Sequence, residues 1–183
     1  MRRIFLDRDG VINRFPGVGH YVTSLKELHV LPSALRGIRL LTKAGYQMHV
    51  TSNQGCVARG MITKTDLWRL TRRMCRDIKK AGGRLHQFHY CLHRSSQNCA
   101  CKKPKTFLLK KAFKGSKAQR GDIWFIGDSD VDVRAGRDYG CRTMLVLSGR
   151  TKRKGLKDLP VKPDKVQKNL YEAAKWILKE KRS

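Results

Sequence analysis

The sequence contains no long hydrophobic run. None of its apolar stretches approaches the roughly 18 residues that cross a bilayer, which excludes a membrane-spanning helix. The longest apolar run before Asp7 is the three residues Ile4 to Leu6, so we expect no signal-peptide core there. We therefore expect a soluble, cytoplasmic protein without a membrane partner.

Acidic side chains are also scarce, with 14 Asp and Glu against 41 Lys and Arg and a formal charge of +27. A field of this sign attracts polyanions such as phosphorylated substrates or nucleic acid, and it does not specify a fold. The basic residues are dense between 102 and 120 and again at 179–182. Because no nucleic-acid-binding motif or run of interleaved aromatic residues accompanies them, we favour a small phosphorylated substrate over nucleic acid as the partner.

Short apolar runs alternate with longer amphipathic stretches along the chain. The short runs predict strands at 4–6, 48–50, 88–90, 123–126 and 143–147. The amphipathic stretches predict helices at 33–44, 63–81, 105–113, 131–139 and 170–178. This alternation indicates an α/β fold with a single Rossmann-like parallel sheet, helices on both faces and no large cap domain. We expect one domain over residues 1–183, with a core at about 3–150 and a basic tail and helix at 151–183.

Polar segments follow three of the predicted strands, at Asp7, Ser52 and Asp128. In a parallel sheet, ligands bind outside the carboxyl ends of the strands, so we expect these segments to share one edge. Five of the 14 acids lie in two of the segments: Asp7, Asp9, Asp128, Asp130 and Asp132. Clustered carboxylates repel each other and therefore predict a bound cation, for which Mg²⁺ suits oxygen ligands and a phosphate substrate. Taken alone, each segment is equally explained as a turn or a helix cap.

Three of the six cysteines lie close to a histidine, as Cys91-x-His93 and Cys99-x-Cys101. Three thiolates and one imidazole match a closed, tetrahedral zinc site with a structural role. In a reducing compartment this spacing favours a metal over disulfides. The alternative is that the cysteines are free or buried and that the histidine lies at the surface.

Four segments resemble the motifs of haloacid dehalogenase-type phosphatases: Asp7-Arg-Asp-Gly10, Val50-Thr-Ser-Asn-Gln54, Cys101-Lys-Lys-Pro104 and Gly127-Asp-Ser129. The resemblance covers about residues 3–150 and extends to the branch that dephosphorylates D-glycero-D-manno-heptose 1,7-bisphosphate. The related histidinol-phosphate phosphatases share the first motif and the cysteine pattern. The segment Ala58-Arg-Gly60 favours the heptose branch.

The resemblance implies a role for each motif. Asp7 would be the nucleophile that forms an aspartyl-phosphate, and Asp9 would be the general acid and base. Ser52 and Lys103 would hold the phosphoryl oxygens, although the residue types alone are typical of a turn and of a solvated charge.

The same resemblance implies two metal sites and a set of substrate contacts. Mg²⁺ would be held by Asp7, Asp128 and the backbone carbonyl of Asp9, with Asp132 behind them steadying Lys103. Zn²⁺ would occupy the site formed by Cys91, His93, Cys99 and Cys101. The substrate contacts would be His20, Tyr21, Asn53, Gln54, Arg59, Lys102 and Ser129.

One departure from the family pattern concerns Lys102, which stands where the heptose branch usually has Arg. Lysine cannot make the bidentate contact that arginine makes with phosphate, so recognition of a second phosphate is left open. We expect a monomeric phosphatase that acts on a small phosphorylated sugar such as heptose 1,7-bisphosphate. The alternatives are a phosphatase for nucleic-acid 3′ ends or histidinol phosphate, and a non-catalytic, basic nucleic-acid-binding module.

Overall fold

The structure is a computed structural model that describes residues 2–113, 119 and 122–180. Parts of the two basic runs, at 114–118, 120 and 181–182, lie outside the described residues. Within the described ranges, the strands are β1 Arg3–Leu6, β2 Gln47–Asn53, β3 Gln87–Cys91, β4 Trp124–Gly127, β5 Arg142–Val146 and β6 Lys165–Gln167. The α-helices there are α1 Pro32–Lys43, α2 Lys64–Lys80, α3 Phe107–Phe113, α4 Asp130–Tyr139 and α5 Leu170–Glu180.

The strands form one sheet in the order β3-β2-β1-β4-β5-β6, and every neighbouring pair is parallel. Strand β1 lies in the interior of the sheet, where Leu6 is level with Val50 of β2 and Ile126 of β4. The predicted parallel α/β sheet is therefore confirmed. Strand β6 was not predicted, because Lys165-Val-Gln167 contains no apolar run. The predicted domain limits stay a prediction.

Helices cover both faces of the sheet because the side chains of β1 alternate between them. Ile4 and Leu6 are fully buried in a core with residues of α1, α2 and α5. Phe5 points to the other face and packs with residues of α3 and α4. This alternation agrees with the predicted two-sided arrangement.

The connections at the carboxyl edge of the sheet carry the polar motifs. The longest connection between named elements runs from Asp7 to Leu31, and a second one joins β3 to α3 through the cysteine cluster. Neither is long enough to form a large cap domain, as predicted. Over the part of the chain that the structure describes, we find no helix with the length and apolar character needed to cross a membrane.

A buried histidine of β2, His49, lies between two other histidine rings. These belong to His86, which precedes β3, and to His89 of β3. His49 is 2% exposed, and its ring is stacked 6.4 Å from that of His86 and 6.3 Å from that of His89. Burial, followed by the charge of Arg3, lowers the pKa of His49 to about 4. The fold therefore holds this imidazole in its neutral form.

We expect His49 to make the fold sensitive to mild acid. The unfolded chain binds a proton at His49 near pH 6.5, and the folded chain does so only near pH 4. The free energy of unfolding should therefore fall by up to about 3 kcal/mol as the pH drops through this window. Urea unfolding at pH 7 and pH 5 measures the effect, which His49→Leu should reduce. Replacing the exposed His29 by Leu is the control, and an undiminished pH dependence in His49→Leu would contradict the assignment.

Candidate active site

The predicted polar segments meet at one edge of the sheet because β2, β1 and β4 are adjacent. The backbone N–H of Asp7 donates to the carbonyl of Ile126 at 3.0 Å, which ties the end of β1 to β4. Ser52 is the second-last residue of β2, and Asp128 directly follows β4. All three side chains line one cavity of about 180 Å³.

A buried lysine lies at the centre of this edge. The ammonium of Lys103 donates to Asp7 Oδ1 at 2.8 Å, to Asp132 Oδ1 at 2.6 Å and to the carbonyl of Thr51 at 2.8 Å. Burial alone would lower the pKa of Lys103, but the charges of Asp132 and Asp7 outweigh burial and raise it. The side chain therefore stays positive at neutral pH beside Asp7.

Lys103 is positioned through its backbone as well as its side chain. Its N–H donates to Asn53 Oδ1 at 3.0 Å, and Asn53 Nδ2 donates to its carbonyl at 3.1 Å. Asn53, a predicted substrate contact, thus uses its amide to hold the lysine, although it also lines the cavity. The end of β2 and the loop after the cysteine cluster are joined at this point.

Asp132 holds Lys103 from the side of α4. Its second oxygen, Oδ2, accepts from Ser129 Oγ at 2.6 Å and from the backbone N–H groups of Asp128 and Ser129 at 3.2 Å. Both oxygens are therefore engaged, and the hydroxyl of Ser129, another predicted substrate contact, is directed to Asp132. This geometry suits Asp132 to positioning Lys103.

We expect Asp132→Asn to weaken both the fold and the activity. The substitution preserves shape but removes one of the two charges that compensate the buried ammonium of Lys103. Breaking one partner of a buried ion pair typically costs about 3–5 kcal/mol, and urea unfolding together with kcat for an aryl phosphate measures the result. Asp130→Asn, in the same turn of α4 but more exposed, is the matched control and should change neither by much. Equal behaviour of the two variants would contradict this role.

Three carboxylates approach one another around this lysine. Oxygens of Asp7, Asp128 and Asp132 lie within 4.8 Å of one another. Burial, partly opposed by Lys103, raises the pKa of Asp7 to about 6. Burial and the charges of Asp132 and Asp7 raise the pKa of Asp128 to about 8. One lysine does not neutralise three carboxylates, so this oxygen-only donor set fits a divalent cation such as Mg²⁺.

Two glycines leave space for Asp128. A Cβ atom on Gly149 would lie 1.9 Å from Asp128 Oδ2, and one on Gly10 would lie 2.0 Å from the same oxygen. Gly10 also has a φ of +84°, which is strained for other residues. The backbone thus encloses Asp128 closely, and the N–H of Arg150 donates to its Oδ2 at 2.6 Å.

Asp9 reaches the same cavity although the strand does not continue to it. Strand β1 ends at Leu6, so the alternation along an extended chain does not bring Asp9 beside Asp7. Its carboxylate instead accepts bonds from Arg8 at 2.9 Å, from Asn13 at 2.8 Å and from Gln54 Nε2 at 2.8 Å. Gln54, a predicted substrate contact, therefore orients Asp9.

The structure brings most of the predicted site residues to the cavity. Those that line it are Asp7, Asp9, His20, Tyr21, Ser52, Asn53, Lys103, Asp128, Ser129 and Asp132. Gln54, Arg59 and Lys102 are not among the lining residues. Val131, Arg150 and the segment 15–19 also line the cavity, although the sequence motifs do not single them out. The segment 15–19 has no ionisable side chain, and the quoted motifs stop before Arg150.

The cysteine cluster lies on the connection that leads to Lys103. Cys91 Sγ lies 3.5 Å from Cys99 Sγ, which is 3.5 Å from Cys101 Sγ, and His93 Nδ1 lies 3.2 Å from Cys101 Sγ. All four ligand atoms fall within 4.8 Å of one another. This donor set fits a tetrahedral zinc ion with no open position.

The comparisons with known proteins agree with this geometry. Residues 100–173 match the family described as HAD-hydrolase-like. The chain is 33% identical to a D-glycero-β-D-manno-heptose-1,7-bisphosphate 7-phosphatase of Neisseria meningitidis serogroup A, over 84% of this chain and 81% of that protein. The enzyme of the same name from Pseudomonas aeruginosa is 34% identical, with 86% and 87% covered.

A solved structure extends this likeness to almost the whole chain. The D,D-heptose 1,7-bisphosphate phosphatase of Bordetella bronchiseptica, crystallised with magnesium and phosphate, superposes with a TM-score of 0.91. It is 31% identical to this chain, and the match covers 98% of this chain and 99% of that one. The chain therefore belongs to the heptose-bisphosphate phosphatase family of haloacid dehalogenase-like hydrolases.

Proposed function

We propose that this protein hydrolyses a phosphomonoester of a small phosphorylated sugar, and that heptose 1,7-bisphosphate is its substrate. The observation that carries the proposal is the buried ion pair between Lys103 and Asp7, at 2.8 Å, in the wall of a cavity that Ser52 and Asp128 share. A carboxylate so placed can attack a phosphoryl group while a fixed positive charge meets its oxygens. The relatives named above support the choice of sugar.

The proposed reaction has two displacements at phosphorus. In the first, a carboxylate oxygen of Asp7 attacks phosphorus, the bond to the sugar oxygen breaks, and Asp9 gives that oxygen a proton. In the second, a water molecule attacks the aspartyl-phosphate, Asp9 takes a proton from the water, and Asp7 is released with inorganic phosphate. Ser52 and Lys103 hold the phosphoryl oxygens in both steps.

The acids that would hold Mg²⁺ are Asp7 and Asp128, with the backbone carbonyl of Asp9. When bound, this ion supplies positive charge that reduces the repulsion between Asp7 and an anionic substrate. The close approach of Gly10 and Gly149 to Asp128 fixes the direction of that carboxylate. The hydrogen bonds from Arg8, Asn13 and Gln54 do the same for Asp9.

The cavity has room for a small phosphorylated group. It is about 180 Å³ in volume, and the segment Phe15–Tyr21 forms part of its wall. Arg150 lines the cavity, whereas Lys102 and Arg59 do not, so we propose Arg150 as a cation for the part of the substrate beyond the reacting phosphate. We further propose that Zn²⁺ occupies the cysteine cluster. The cytoplasmic location and the monomeric state stay predictions.

A substrate panel tests the proposal. The panel contains both anomers of heptose 1,7-bisphosphate, histidinol phosphate and a 3′-phosphorylated oligonucleotide. We expect Mg²⁺-dependent phosphate release with the highest kcat/KM for heptose 1,7-bisphosphate. A higher kcat/KM for histidinol phosphate or the oligonucleotide would overturn the substrate assignment. Hydrolysis of an aryl phosphate without hydrolysis of any sugar phosphate would leave the chemistry in place but reject the sugar.

A further inference from the structure

A groove lined by three aromatic side chains lies outside the active site, along the edge strand β3. Trp68 of α2 lines it together with Phe88 and Tyr90 of β3. Trp68 is 44% exposed, which is unusual for so large an apolar side chain. Trp68 lies about twenty positions before Phe88 and Tyr90 in the sequence, so no local pattern of interleaved aromatic residues predicts the groove.

The ring geometry leaves Trp68 accessible to a flat ligand. Its centroid lies 6.3 Å from that of Phe88 and 5.8 Å from that of Tyr90, with interplanar angles of 85° and 52°. Neither ring stacks in parallel on the indole, and the exposed fraction of Trp68 remains open to solvent. An exposed indole of this kind offers a face on which a nucleobase stacks.

Cations border the same groove from two helices. Lys64, at the first position of α2, and Lys111 of α3 both line it. Arg72 is exposed one helical turn after Trp68, on the same side of α2. Among the described residues that line the groove, none is acidic. The groove therefore combines aromatic rings with positive charge on both sides.

We propose that this groove binds single-stranded nucleic acid, with a base stacked on Trp68 and neighbouring phosphates paired with Lys64, Lys111 and Arg72. The charge of +27 supplies the sequence-independent attraction that such binding requires. A lipid surface fits less well, because the three rings line a groove and not a flat face of the molecule. A phosphorylated metabolite would not need cations at both sides of three rings.

Fluorescence anisotropy of a labelled oligothymidylate with a 3′-hydroxyl end tests the proposal without offering the phosphatase a substrate. We expect the wild-type protein to bind the oligonucleotide at low salt. Trp68→Ala should bind it roughly ten-fold more weakly, whereas Trp68→Phe should retain most of the affinity. The double variant Lys64→Ala/Lys111→Ala should reduce the slope of log affinity against log salt by roughly 0.7 for each lost phosphate contact.

The controls separate the groove from the general charge of the surface. Lys154→Ala/Lys157→Ala removes the same charge from exposed positions outside the groove and should change the salt slope less. Circular dichroism and aryl phosphate hydrolysis establish that Trp68→Ala is folded. Heparin has the charge without bases, and phosphatidylglycerol vesicles present an anionic lipid. Oligonucleotide binding that is unaffected by Trp68→Ala, equal effects of the two lysine pairs, or Trp68-dependent binding to heparin or vesicles would each overturn the proposal.

Discussion

Replacing Asp7 by Asn should reduce phosphate release from p-nitrophenyl phosphate by about 10⁴-fold or more, because a carboxamide oxygen is a far weaker nucleophile than a carboxylate. The expected loss is in kcat, measured with Mg²⁺ and saturating substrate. Among the residues that the structure describes, no other carboxylate is placed to substitute for it. Asp132 has both oxygens occupied, and Asp128 Oδ2 accepts the N–H of Arg150 at 2.6 Å.

The fold of this variant should survive the substitution. Asparagine has nearly the shape of aspartate, and its oxygen can still accept the bond that Lys103 donates at 2.8 Å. Among the described residues Asp7 accepts a bond only through Oδ1, whereas Asp132 accepts through both oxygens, so an amide nitrogen is accommodated at position 7 but not at position 132. Burial also raises the pKa of Asp7 to about 6, so the fold disfavours the charge that the substitution removes. Urea unfolding should therefore show little change in the free energy of unfolding, so that lost turnover reports on chemistry.

Two results would contradict the role of Asp7. Unchanged turnover by Asp7→Asn would show that the reaction does not pass through this carboxylate. A variant that has lost activity only because it is unfolded would show a structural role instead. Asp130→Asn, a matched change of one half-buried carboxylate in α4, should retain wild-type turnover and so excludes a general effect of charge.

The sequence predicts that the site residues lie close together, because each of them lies at or just after the end of a strand. Asp7, Ser52 and Asp128 each end or follow a short apolar run, and parallel strands bring such positions to one edge. The order β2-β1-β4, which makes these strands adjacent, was not predictable from the apolar runs. It depends on side-chain packing across both faces of the sheet, which no single segment encodes.

The roles of the amide side chains were less predictable, because they depend on tertiary distances. The resemblance implies that Asn53 and Gln54 contact substrate, and the structure shows their amides bonded to Lys103 and Asp9. The substrate contacts stay a prediction. An amide can donate and accept, so its residue type does not identify its partner. Lys102, which stands where the heptose branch usually has arginine, does not line the active-site cavity. It borders a different groove.

Disrupting the cysteine cluster should have the second largest effect, because the cluster supports two active-site residues at once. Lys103 follows Cys101 by two positions, and the N–H of Gln54 donates to the carbonyl of Cys91 at 2.7 Å. Gln54 in turn donates to Asp9 at 2.8 Å. Loss of the metal would therefore release both Lys103 and the side chain that orients Asp9.

We expect the purified protein to contain about one zinc per chain, and we expect Cys101→Ser to lower both zinc content and phosphatase activity. Structural zinc sites contribute several kcal/mol to folding, so the Tm should fall on the order of 10 °C. Cys75→Ser changes a half-buried cysteine of α2 outside the cluster and should leave zinc content and Tm nearly unchanged. A zinc-free wild-type protein with full stability and turnover would contradict the prediction. Since the four ligands occupy every position of a tetrahedral ion, zinc would then have no role left in this enzyme, and the hydrogen bonds of Lys103 with Asn53 and Asp132 would have to hold it beside Asp7.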